Sequence, residues 1–107
     1  MSTVALKMTR GDRRMATGTV IGASLAGATL VFRAVCAPGA AGGITKTVGS
    51  GITLVDDHTY QVMFEPTDTL ALNNVDQRLA ISVTLTLSGG DGPYTIVDGS
   101  LRLLPKL

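Results

Sequence analysis

From Leu79 to Ser88 the chain alternates without a break: Leu79, Ile81, Val83, Leu85 and Leu87 are apolar, and Ala80, Ser82, Thr84, Thr86 and Ser88 between them are small or polar. A period of two brings five apolar side chains to one face only when the backbone is extended. That face is stable only under a second layer of structure. The segment is therefore a β-strand with one dry face and one wet face, and the chain builds a sheet that packs on something.

A chain of 107 residues is long enough for one two-layer core and too short to add a separate catalytic domain, so residues 1–107 form a single domain. With no Trp, two Tyr and two Phe, the core must come from Val, Leu, Ile, Ala and Met. The glycines and prolines fall mainly between apolar runs, where they act as turns.

The remaining strands are short. Val4, Leu6 and Met8 alternate with Ala5, Lys7 and Thr9, and the run ends in the turn-forming Arg10-Gly11-Asp12-Arg13. Met15 to Ile21 returns as a second strand, Gly22 to Ala28 makes a corner, and Thr29 to Cys36 is a third strand. Pro38 and Gly39 open a pliable loop through Gly43. Ile44–Val48 and Ile52–Val55 flank Gly49-Ser50-Gly51, a connection suited to a hairpin. Tyr60, Val62 and Phe64 form the next strand, which Pro66 ends, and Thr67 to Leu72 reads as a short helical turn with Thr67 or Asp68 as its cap. After the long alternating strand, Gly89 to Pro93 reverses the chain, and Tyr94–Val97 with Ser100–Leu104 completes the sheet. The fold class expected is all-β, an antiparallel immunoglobulin-like β-sandwich of about seven to nine short strands.

Net charge is close to neutral and makes no case for nucleic acid, but its distribution is uneven. Through Lys46 six positive residues face one negative, a net of +5, whereas from Thr47 to Asp98 seven negatives face one positive, a net of −6. If the halves occupy different surfaces, copies could dock head to tail; if the strands interleave, the charges mix.

Chemistry-bearing motifs are sparse. Cys36 is the only cysteine, so no disulfide forms within the chain, and it reads as a small buried hydrophobe. His58 is the only base it could meet, and nothing places the two together. Asp56-Asp57-His58 offers metal-ligand types, but consecutive residues of an extended chain point to opposite faces, so a solvated hairpin tip fits better. Arg10-Gly11-Asp12 matches the integrin-binding tripeptide, yet Gly-Asp in a tight turn occurs for backbone reasons alone. No nucleophile elbow, phosphate-binding loop or zinc signature occurs. No enzyme activity, metal or cofactor is expected. Met15 to Phe32 is uncharged, follows Arg13-Arg14 and spaces Gly18 and Gly22 as in a membrane helix; its Gly, Thr and Ser content makes it poorly apolar for a span, and no cleavage site follows. A soluble chain with no targeting segment is expected.

Arg10-Gly11-Asp12 after an N-terminal strand, Ser24 to Phe32 entering a strand, Pro66-Thr67-Asp68-Thr69-Leu70 after another, and Asp98-Gly99-Ser100-Leu101 near the end resemble the small immunoglobulin-like domain of tailed bacteriophages, a family that includes the N-terminal domain of a baseplate upper protein. The resemblance covers nearly the whole chain. It implies a structural component of a virion, assembled in the host cytoplasm, that docks other virion proteins in multiple symmetric copies. In the baseplate protein a host-facing module follows this domain; here Pro105-Lys106-Leu107 ends the sequence, so a standalone fitting is expected. A tail, baseplate or fibre adaptor leads, with a capsid decoration protein or head-fibre base as the alternative. Arg10, Arg13 and Arg14, with Pro38 and Gly39 in the pliable loop, are the expected partner contacts. A carbohydrate- or cell-surface-binding module is the competing class, with Tyr60 and Tyr94 as the aromatics that could stack on a sugar.

Overall fold

The computed structural model describes residues 2–35, 43–70 and 76–105. Cys36, Pro38, Gly39 and most of the expected pliable loop lie outside the described residues. Eight strands and one short helix follow in order: β1 (Ser2–Thr9), β2 (Arg14–Thr19), β3 (Thr29–Val35), β4 (Gly43–Val48), β5 (Gly51–Leu54), β6 (Thr59–Phe64), α1 (Pro66–Leu70), β7 (Gln77–Thr86) and β8 (Tyr94–Leu104). The fold is all-β, as the alternation requires.

The strands form one eight-stranded sheet in the order β1-β8-β7-β3-β4-β5-β6-β2, curled about a single core. The expected alternation is realised in β7, where Leu79, Ile81, Val83 and Leu85 are all buried. Beside them in register stand Leu30, Phe32 and Ala34 of β3 and Leu101 and Leu103 of β8, and Tyr60, Val62 and Phe64 of β6 join the same core. Phe32 and Phe64 meet edge to face, centroids 5.3 Å apart at 76°, an arrangement that satisfies the ring quadrupoles.

Three features depart from a wholly antiparallel sandwich of hairpins. First, β1 pairs in parallel with β8, from Ser2↔Val97 to Thr9↔Leu104. Gly99 permits this approach: its φ is +152°, and a Cβ there would collide with the Val4 carbonyl. Second, β4 and β5 are not a hairpin but pair in parallel over Thr47↔Gly51 and Val48↔Ile52. Gly49 at φ +84° and Gly51 at φ +102° step the chain sideways instead of reversing it. Third, β1 and β2 are joined by a tight turn yet occupy opposite edges of the sheet, β1 on β8 and β2 on β6. The turn crosses from one edge to the other, and Tyr94–Val97 and Ser100–Leu104 run together as one strand.

These pairings give the molecule two distinct ends. The β1–β2 turn, α1, the start of β7 and the end of β8 gather at one, the helix end; the β2–β3, β5–β6 and β7–β8 connections gather at the other, the loop end. The eleven residues of β8 span about 35 Å at strand rise, so the strands lie along the 44 Å dimension of the 44 × 26 × 20 Å molecule.

Candidate docking surface at the helix end

Pro66 occupies the first position of α1, where its missing N–H is no loss. The Asp68 carboxylate reaches back to accept the Glu65 N–H at 2.7 Å, and the Asp68 N–H donates to the Glu65 carbonyl at 3.0 Å. That closes the helix start. The same carboxylate oxygen takes the Lys46 ammonium at 2.6 Å, with side chains only 11% and 19% exposed. Lys46 is thus an inward-facing residue of β4 whose stem lies across Gly51, where a Cβ would overlap it.

Against this plug rests the β1–β2 turn. Arg10 N–H donates to the Leu104 carbonyl at 2.9 Å, Asp12 N–H to the Thr9 carbonyl at 3.1 Å, and Gly11 N–H to the fully buried Thr69 hydroxyl oxygen at 2.8 Å. Gly11 sits at φ +85°, a conformation that suits glycine. The tripeptide Arg10-Gly11-Asp12 is therefore a backbone turn pinned on three sides.

The three expected contact arginines are brought together here, and each is already oriented by the protein. Arg10 Nη2 donates to the Leu70 carbonyl at 2.6 Å. Arg13 pairs with Glu65, Nη2 to Oε2 at 2.9 Å, while 68% of its side chain stays exposed. Arg14 Nη1 reaches across to the Lys7 carbonyl at 2.6 Å. Lys7, Arg102 and Arg78 continue the cationic surface across three neighbouring strands, as register partners on β1, β8 and β7. Arg102 is held at 2.7 Å by Asp76, whose carboxyl the Arg102 hydrogen bond keeps below the usual carboxylate range.

The ion pairs Arg13–Glu65 and Lys46–Asp68 each join a positive residue of the first half to a negative residue of the second. The two halves of the sequence do not form two faces; the strands interleave them. Polarity survives along the strand axis instead. Among the described residues at the helix end, the seven cations Lys7, Arg10, Arg13, Arg14, Lys46, Arg78 and Arg102 outnumber Asp12, Glu65, Asp68 and Asp76, leaving +3. Sequence counting missed this because alternate strands carry distant residues to the same end.

Between the edges of β1 and β2 runs a cleft of about 220 Å³, lined by Val4, Leu6, Ala16, Gly18, Tyr60 and Val97 among others. Tyr60 lies over Gly18, its register partner, so closely that a Cβ would enter the ring. Tyr60 is buried, and burial pushes its phenol up. Below the cleft a wider surface depression of about 470 Å³ is bordered by Lys7, Asp12, Arg13 and Arg14. Among the described residues β1 and β2 each have one partner strand, so both present an open edge to a neighbour.

Asp56-Asp57-His58 forms the β5–β6 connection at the loop end. Asp56 accepts the His58 N–H at 2.8 Å, which lowers its carboxyl, and His58 Nδ1 donates to the Ala23 carbonyl at 2.9 Å. Among the described residues no group of three His, Cys, Asp or Glu side chains is placed to hold a metal ion, and no helix is long and apolar enough to cross a membrane. Tyr94 is half exposed, its hydroxyl donating to Asp91 at 2.6 Å, an interaction that raises its phenol. No protein-family model matches the chain, and comparison with curated proteins finds no match.

Proposed function

We propose that the chain is a structural subunit of a tailed-phage virion, an adaptor of the tail, baseplate or fibre that works by docking onto other virion proteins. The observation that carries this reading is the strand order. The sheet is continuous across β4–β5 through only two register pairs. Divided there, the order reads β1-β8-β7-β3-β4 and β5-β6-β2. Lettered in chain order these are A-G-F-C-C′ and D-E-B, a strand order that supports an immunoglobulin-like sandwich. This agrees with the resemblance of the sequence to the small domains of tailed phages.

Docking then uses what the fold holds rigid. The cationic turn is fixed before any partner arrives, so binding through it orders few additional groups. Its charge sets orientation and encounter rate, and the open edges of β1 and β2 offer backbone hydrogen bonds. Replacing Arg10, Arg13 and Arg14 by alanine lowers incorporation of the chain into particles, with the larger loss at low salt, where the charges are least screened. Unchanged incorporation at both low and high salt would contradict the contact. A capsid decoration or head-fibre base uses the same surface and differs in copy number.

A second reading, a carbohydrate- or cell-surface-binding module, is favoured by one observation: Tyr94, half exposed beside Asp91, presents an aromatic ring with an acid at its hydroxyl. Binding on a glycan array that Tyr94→Ala abolishes would favour it.

A further inference from the structure

The loop end mirrors the helix end in charge. Its three connections are locked together: Val20 N–H donates to the His58 carbonyl at 2.7 Å, Leu25 N–H to the Asp57 carbonyl at 2.6 Å, and Gly27 lies against Ser88. They carry Asp56, Asp57 and Asp91, with no Lys or Arg, a net of −3. Among these acids stand the exposed apolar side chains Ile21, 93% accessible, Val55 at 52% and Tyr94 at 49%. Apolar groups of this size with an acidic rim match the anatomy of a protein interface. The opposite end offers +3 and a half-exposed Leu70.

We propose that copies of this chain associate lengthwise, the acidic, apolar loop end of one seated on the cationic helix end of the next. The inference deepens the docking reading and rests on it, naming a second copy as one partner of the cationic end. The two ends lie along a 44 Å molecule, several times the roughly 8 Å screening length at physiological salt, so each end attracts its complement without being cancelled by its own opposite pole. Because the two surfaces differ, the contact is heterologous, and repetition gives a ring or an open stack. Ile21, Val55 and Tyr94 supply the desolvated centre, and the charges set register and orientation.

Sedimentation velocity of the purified chain tests this in the absence of particles. Self-association is expected to rise with protein concentration at low salt and to weaken by about tenfold or more at half-molar salt. Asp57→Lys with Asp91→Lys reverses the loop end, and Lys7→Glu with Arg78→Glu reverses the helix end; Lys7 and Arg78 act on Asp76 through space while Arg102 makes its ion pair. Each double variant alone should stay monomeric, and an equimolar mixture of the two should associate again. Circular dichroism of each variant confirms that it is folded; Ile21→Ser, in an exposed loop, is a further variant that should weaken association without reversing charge. A wild-type chain that remains monomeric at low salt, or variants that associate as well as wild type, overturns the proposal. A monomeric chain that still enters particles would overturn this inference alone and leave the docking reading standing.

Discussion

Lys46 and Asp68 give the most demanding stability prediction. The ammonium and carboxylate are 2.6 Å apart and mostly out of water, and Asp68 also accepts the Glu65 N–H. Removing one member of a fully buried pair costs about 3–5 kcal/mol, because the other charge is left without a partner. The residual exposure and the flexible Lys46 stem reduce that to about 2 kcal/mol for the charge. The lost acceptor at the helix start adds about 1 kcal/mol. Asp68→Ala should therefore cost about 3 kcal/mol, and Asp68→Asn, which keeps an oxygen for the Glu65 N–H, about 2 kcal/mol. Lys46→Met keeps an unbranched stem over Gly51 but strands the Asp68 carboxylate, which still accepts the Glu65 N–H, and should cost about 1–2 kcal/mol. In urea unfolding followed by far-ultraviolet circular dichroism, the double variant Lys46→Met with Asp68→Asn should be no less stable than Asp68→Asn alone. That outcome corresponds to a coupling of about 1–2 kcal/mol. Strict additivity of the two single effects would refute the argument that the stranded lysine, rather than lost packing, dominates.

Three further outcomes follow from other parts of the molecule. Gly99→Ala places a Cβ on the Val4 carbonyl, so β1 should detach from β8 and hydrogen exchange of residues 2–9 should accelerate by at least about tenfold, with a stability loss of about 2 kcal/mol or more. Phe64→Ala empties a fully buried site against Phe32 and should cost about 3–5 kcal/mol in the same urea assay, unless the site collapses. Asp76 has a folded pKa lowered by Arg102. Its contribution is therefore present above the unfolded value of about 4 and is lost as pH falls through the folded value. Arg102→Gln should flatten the decline of stability below pH about 4, and an unchanged acid limb would contradict the pairing.

What was legible in the sequence was local. The strict alternation of residues 79–88, the β1 alternation of Val4, Leu6 and Met8, and Pro66 at a strand end each declare backbone state through a period or a missing donor, and each element forms nearly where the pattern places it. Pairing was not legible, because the partner of a strand is fixed by contacts distant in sequence. Gly49-Ser50-Gly51 between two apolar runs satisfies the rules for a hairpin, and only the neighbouring strands show that it carries the chain sideways into a parallel pair. Arg10-Gly11-Asp12 announced a turn, but the Thr69 hydroxyl that pins it comes from 58 residues away. Lys46 read only as part of one flank of the expected hairpin, and its inward position beside Asp68 became recognisable only once α1 was folded over the sheet end.

Whether the chain is a docking subunit of a virion, as proposed, is decided by quantitative mass spectrometry of particles purified from the source that encodes it. A fixed copy number per particle equal to a small multiple of the tail's symmetry is expected; a number comparable to the major capsid protein would move the subunit to the capsid surface. Absence from purified particles would overturn the virion role and bring the ligand-binding reading to the front.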